Sequence, residues 1–113
     1  MLDQARMNAT LLALALLVPA TGFAAEHRCA ADARVQARKL LVFHTEADRN
    51  VGIDEEVTQL SSIANPAAKQ QRFDVLELHG YVYKANYRIR LLYAQVPGPC
   101  VLMGQEILEH AKL

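Results

Sequence analysis

The sequence has no tryptophan, two cysteines, five glycines and no excess of either charge, since 12 lysines and arginines meet 12 aspartates and glutamates. The charge balance removes the electrostatic footprint of a nucleic-acid binder, and no block of like charge marks an interaction tail. The glycines fall in no phosphate-cradling arrangement, and no serine sits in a nucleophile elbow. A set such as Ser61, His79 and Asp74 can be drawn from scattered residues, but no motif joins them, so the chain is read as a non-enzyme. Metal chemistry lacks its ligands too. Glu77 and His79 share a strand face, with His110 as a third group from the chain end, while a zinc site takes three or four ligands at suitable spacing. The acidic run EADRNVGIDEE from Glu46 places Val51 and Val57 where a calcium loop needs glycine and glutamate. No cofactor or metal is expected.

A bilayer-spanning run of ~20 apolar residues is also missing. The longest one is ATLLALALLV, Ala9 to Val18. Arg6 precedes it and PATGFAA follows, which is the order of a secretory signal peptide. Cleavage after Ala24 leaves the small residues Gly22 and Ala24 at the cut. Cleavage after Ala25 would put Phe23 at the more selective position. Glu26, His27 and Arg28 precede Cys29, so no lipoprotein pattern is present and no stable membrane anchor is expected after cleavage. Residues 1–24 are therefore read as a signal peptide. Residues 25–113 are read as one small domain of a soluble periplasmic or secreted protein.

In an exported chain two cysteines imply one disulfide, here between Cys29 and Cys100. Closing so long a loop stabilises a fold by roughly 4 kcal/mol in the chain-entropy account.

Two periodicities divide the domain. From Cys29 to His44, apolar residues recur at helical spacing as Cys29, Ala33, Gln36, Leu40 and Phe43, with Ala37 and Leu41 beside them. Neither glycine nor proline interrupts, and His44 near the end suits the helix dipole. One long amphipathic helix is expected there. Asp48 or Asn50 is expected to turn the chain after it. Ile53, Val57, Leu60 and Ile63 repeat at helical spacing and suggest a second, shorter helix. Asn65-Pro66 then caps one more turn.

From Phe73 the period becomes two. FDVLELHGYVYKANYRIRLLYAQ alternates apolar and polar residues and reads as a hairpin, with Ala85-Asn86 as its loop. Val82 then faces Ile89, Tyr81 faces Arg90 and Leu78 faces Tyr93. After the turn Val96-Pro-Gly-Pro99, a third strand runs from Cys100 to His110, with Gln105–Ala111 also compatible with a helix. An extra residue at Gly104 brings Ile107 opposite Ile89 and Glu106 opposite Arg90. The expected fold class is α+β: one long N-terminal helix and a second short one, packed on a three-stranded antiparallel β-meander.

The face turned away from the helix would carry Tyr81, Tyr83, Arg88, Arg90 and Glu106. Tyrosine and arginine anchor interfaces because each offers a flat contact and a polar end. This face is the candidate partner-binding surface, against two plainer readings: a solvated sheet face, or one covered by the Glu46–Arg72 segment. The function expected is a macromolecule-binding, inhibitor-like or envelope-accessory module whose partner is another exported protein. The alternative is a small-ligand or metal-binding protein with a pocket lined by Glu77 and His79, and a hydrolase ranks third. A last strand at the sheet edge also offers itself to a second copy of the chain.

Overall fold

Alanine lets the helix lie close to its sheet. The computed structural model describes residues 25–47 and 49–111; the expected signal peptide and Asp48 lie outside the described residues. Helix α1, Ala30–Thr45, buries Ala30, Ala33, Ala37 and Leu41. Asp32 stands in its first turn and His44 in its last, as the dipole favours. Glu46 closes the helix in a left-handed conformation, φ 58°, with its N–H donating to the Val42 carbonyl at 2.8 Å. The buried stripe is rotated from the one expected. Phe43, assigned to the core from spacing, is 84% exposed. The wider stripe containing Gln36 and Phe43 is replaced by a narrow one of three alanines and Leu41.

Among the described residues there are five strands rather than three: β1 Val51–Ile53, β2 Thr58–Asn65, β3 Ala68–Val82, β4 Ala85–Ala94 and β5 Leu102–His110. They form one antiparallel sheet in the order β1-β3-β4-β5, with β2 also alongside β3. The fold is mostly sheet, which overturns the expected α+β layout of two helices on a three-stranded meander.

The second helix is replaced by β1 and β2. Leu60 sits opposite Val75 and Ile63 opposite Phe73, with a bulge between them. One extra residue in a strand puts positions three apart on the same face, so the bulge imitates helical spacing. β-Branched Val57, Thr58 and Ile63 also suit a strand. Asn65-Pro66 makes a hairpin turn instead of a helical one. The Asn65 side-chain oxygen accepts the Ala67 N–H at 2.9 Å, an Asx-type turn. The β1 strand follows Asn50, whose φ is 59°. The Asp54 N–H donates to the His79 carbonyl at 2.9 Å.

The β3–β4 hairpin turns at Tyr83-Lys84, not at Ala85-Asn86, with Tyr83 at φ 54°. Val82 therefore faces Ala85, Leu78 faces Ile89 and Leu76 faces Leu91. This register engages all of β4, from Ala85 to Ala94, with Phe73–Val82. Each strand is displaced by an even number of residues, so every side chain keeps its face. Beyond β4, Tyr93 faces Leu102, Met103 is the extra residue, and Ile107 faces Ile89. Gly104 lies beside this bulge, where an added Cβ would be a tight 3.0 Å from a Leu92 methyl group. The helical alternative for Gln105–Ala111 is excluded by the strand.

The core lies between α1 and one sheet face. Leu76, Leu78, Ile89, Leu91 and Tyr93 are fully buried against Leu41, Ala33 and Ala37. A Cβ on Gly80 would meet side-chain carbons of Leu41 and Ile53, each at 2.9 Å, so the missing side chain sets how closely the helix approaches. The Tyr93 hydroxyl donates to Asp32 at 2.7 Å, tying the middle of the sheet to the first helical turn. Burial, and then that carboxylate, push its phenol upward from the ordinary value of 10.0.

The helix start is clasped to the turn before β5. The Cys29–Cys100 disulfide spans 71 residues of sequence. The Arg28 guanidinium donates to the Gly98 and Val96 carbonyls at 2.6 and 2.7 Å. His27 accepts the Cys29 N–H on Nδ1 at 3.0 Å, which leaves Nε2 to carry the proton toward Asp74 at 2.8 Å. The disulfide indicates an oxidising, exported environment. Among the described residues no helix is long and apolar enough to cross a membrane.

Candidate functional site

The face of the sheet opposite α1 is ordered in cross-strand rows, which the pairing registers fix. From one end they run Ile63–Phe73–Ala94, Leu60–Val75–Leu92–Gly104, Thr58–Glu77–Arg90–Glu106, His79–Arg88–Leu108 and Tyr81–Asn86–His110. The first two rows are apolar and the rest are polar or charged. The Glu46–Arg72 segment does not fold over this face. Its strands extend the same sheet sideways.

In the charged half Glu77 is the organising residue. Its side chain is only 16% exposed, and it accepts the Arg90 Nε–H at 2.8 Å. Arg88 Nε lies 4.0 Å away, and both guanidinium groups reach Glu106 at 3.7 Å. Two cations and two carboxylates thus close on one another. The Arg88 Nε is buried and has no hydrogen-bond partner among the described residues. A carboxylate so engaged is poorly available to a metal, since its lone pairs already face two guanidinium groups. His79 and His110 approach edge to face at 6.2 Å between ring centres.

The residues named from sequence separate into two groups. Arg88, Arg90 and Glu106 come together as expected, with Glu106 opposite Arg90. The tyrosines do not join them. Tyr81 lies opposite Asn86, two rows from Arg90, and its ring covers Gly52. Tyr83 sits in the hairpin turn and is 78% exposed. The expected Tyr81–Arg90 stack is therefore an Arg90–Glu77 ion pair, because the turn falls two residues earlier. Ser61, His79 and Asp74 do not form a catalytic set. Asp74 and His79 lie on opposite faces of β3 by strand alternation, and Asp74 is held by His27 and Gln95.

Sequence reasoning missed the apolar half. Arg72, Phe73, Ala94, Val96, Val101 and Met103 line an open groove of about 500 Å³. Ile63, Val96, Val101 and Met103 are all substantially exposed, Met103 at 48%. The signal was present in Val75 and Leu92, apolar residues on the polar phase of their strands. It becomes readable only with β2 paired to β3, since that strand supplies Leu60 and Ile63.

Comparison with known proteins finds no matching family model, no matching curated protein and no matching solved structure.

Proposed function

We propose that this is an exported module, periplasmic or secreted after removal of residues 1–24, that binds another exported protein through the outer face of its sheet. The observation that carries this reading is the division of that face. An open groove in which Phe73, Val96, Val101 and Met103 sit among glutamines and Arg72 adjoins a closed Glu77–Arg88–Arg90–Glu106 network, with Ile63 exposed in the neighbouring strand. An antiparallel sheet covered on one face normally turns a polar face to water. Apolar side chains clustered on the other face mark an interaction surface when they are contiguous. The network beside them is already neutral, so it supplies orientation and excludes partners of unmatched charge rather than attracting a highly charged one. Binding, rather than catalysis, is the activity proposed.

The groove supports a second reading. Its volume falls within the range of small-molecule sites, roughly 300–1,000 Å³, and its lining mixes apolar groups with Arg72 and Gln95. An apolar ligand with one polar end would fit that lining.

Site-directed photo-cross-linking in the native compartment tests the proposal. A cross-linker at Met103 should trap a defined protein, and one at Phe43, on the outer side of α1, should not. Met103→Glu should abolish the adduct from a cross-linker at Val101 without changing the melting temperature. Equal labelling from Phe43, or an adduct indifferent to Met103→Glu, would remove the outer face from consideration. Arg88→Ala/Arg90→Ala should reduce the adduct less than Met103→Glu does. No protein adduct at Met103, together with a small molecule co-purifying with the wild type alone, would favour the second reading.

A further inference from the structure

Among the described residues the strand β5 pairs with β4 alone, and α1 packs chiefly on β1, β3 and β4. Among those residues one edge of β5 therefore remains open along Leu102–His110. Its first part is protected by the bulge at Met103, which disrupts the row of free backbone groups. From Gln105 to His110 the strand is regular, and Leu108 on it is 49% exposed. An open regular edge pairs most simply with its own copy, about a two-fold axis. Antiparallel pairing sets residues of the same face opposite one another, so such an axis must pass through a single residue.

The sequence of β5 discriminates among the possible axes. Centring on Glu106 or on Glu109 sets identical carboxylates face to face, which is destabilising. Centring on Ile107 sets Glu106 against Leu108, a charge against an apolar side chain. Centring on Leu108 sets Leu108 against itself and Glu106 against His110 on both sides of the axis. It also places Ile107 opposite Glu109, whose carboxylate already accepts from the Tyr87 hydroxyl at 3.3 Å and whose stem can cover the isoleucine. The Ile107 register also has an apolar centre and sets Gln105 against Glu109, but the Leu108 register alone among these sets a carboxylate opposite a basic side chain on both sides of an apolar centre.

We infer that β5 is an isologous interface, through which two copies join edge to edge in the register centred on Leu108 and form one continuous sheet. Glu106 then belongs to two pairings, Arg88 and Arg90 within its own chain and His110 of the second copy across the axis. The dimer carries two outer faces side by side. It depends on edge geometry and charge pairing only, and so stands independently of the partner proposed for the groove.

Sedimentation velocity of the disulfide-intact protein, run over about a hundredfold range of concentration, tests the inference by mass action. A concentration-dependent dimer is expected, as befits a small interface. Leu108→Asp should leave a monomer throughout. His110→Glu, which sets two carboxylates opposite each other at each flank, should weaken the dimer by about tenfold or more. His110→Lys should tighten it. Both positions are exposed, so unchanged melting temperatures are expected and should be checked. Mild oxidation of Leu108→Cys should give a covalent dimer, and Gln105→Cys should not. A monomer at every concentration, a dimer that survives Leu108→Asp, or efficient cross-linking through Ile107→Cys in place of Leu108→Cys would overturn the inference.

Discussion

On the inner face of the sheet Leu76, Leu78, Ile89, Leu91 and Tyr93 meet an alanine-lined helix and lose all contact with water. On the outer face Phe73 and Val75 are buried as well, but Leu60, Ile63 and Leu92 remain partly exposed, as does Met103 at the bulge. Both sets came from the same alternating strands, and the helix decides between them. A helix whose buried stripe is mostly alanine can lie close, and among the described residues there is one helix for two faces. The inner face is therefore optimised for stability. The outer face has a satisfied ion network at one end and an unsatisfied apolar surface at the other, an arrangement that suits recognition better than folding.

Breaking the clasp is the severest test of this division, because it fixes the helix over the inner face. Reduction of Cys29–Cys100, or Cys100→Ser, should cost roughly 4 kcal/mol. Urea unfolding with and without reductant would show it as a large fall in midpoint. A change below about 1 kcal/mol would mean that helix packing alone holds the layers together.

The faces should also respond unequally to the same chemical deletion. Leu78→Ala removes a fully buried side chain and should cost about 3 kcal/mol. Leu92→Ala, half-buried on the outer face, should cost about 1 kcal/mol. Equal losses in denaturant unfolding would mean that the outer face contributes to the core as much as the inner one, which would weaken its claim to be a binding surface.

Within the outer face, Glu77→Gln should cost about 1 kcal/mol, because two partly exposed guanidinium groups lose their shared carboxylate but stay near water and Glu106. Raising the salt concentration should shrink the difference between wild type and variant. A loss comparable with that of Leu78→Ala would identify the network as structural rather than as the polar border of an interface.

The parts of this architecture legible in the sequence are those governed by one periodicity at a time. The helix at Ala30–Thr45, the alternation through β3 and β4, and the bulge beside Gly104 each follow from a local rule. So does the disulfide, which follows from the count of cysteines and the exported reading. The errors share a cause. Ser61 and Ser62 stand at a bulge that shifts β2 by one residue, which turned a period of two into an apparent helix. Asn86 looked like the turn residue, yet the hairpin closes earlier at Tyr83, a residue that seldom takes positive φ. That misplacement put Tyr81 beside Arg90 and hid Glu77 as the centre of the charged cluster. Helical spacing places Phe43 in the core, whereas the sheet is met by Ala33, Ala37 and Leu41 and Phe43 turns to solvent. In each case tertiary pairing outweighed a local preference, and the outer face, assembled from four strands, was the region most dependent on pairing.

The finest difference between the faces should appear in acid. Asp74 points to the inner side near the clasp, and the hydrogen bond from His27 holds its carboxyl below the ordinary value of 3.8. Burial opposes this shift, and Gln95 and the nearby Arg28 add to it. A carboxyl depressed in the folded state contributes stability above its unfolded value and loses it as pH falls through the folded one. Asp74→Asn removes that contribution at every pH. The variant should therefore be less stable than wild type at neutral pH, by about 1 kcal/mol for this partly buried pair. The gap should close as pH falls below about 4. Urea midpoints measured from neutral pH down to the acid limb would trace the convergence. Curves that stay parallel to the lowest pH would assign Asp74 a packing role and detach His27 from the acid response, leaving the disulfide and Arg28 as the clasp's working parts.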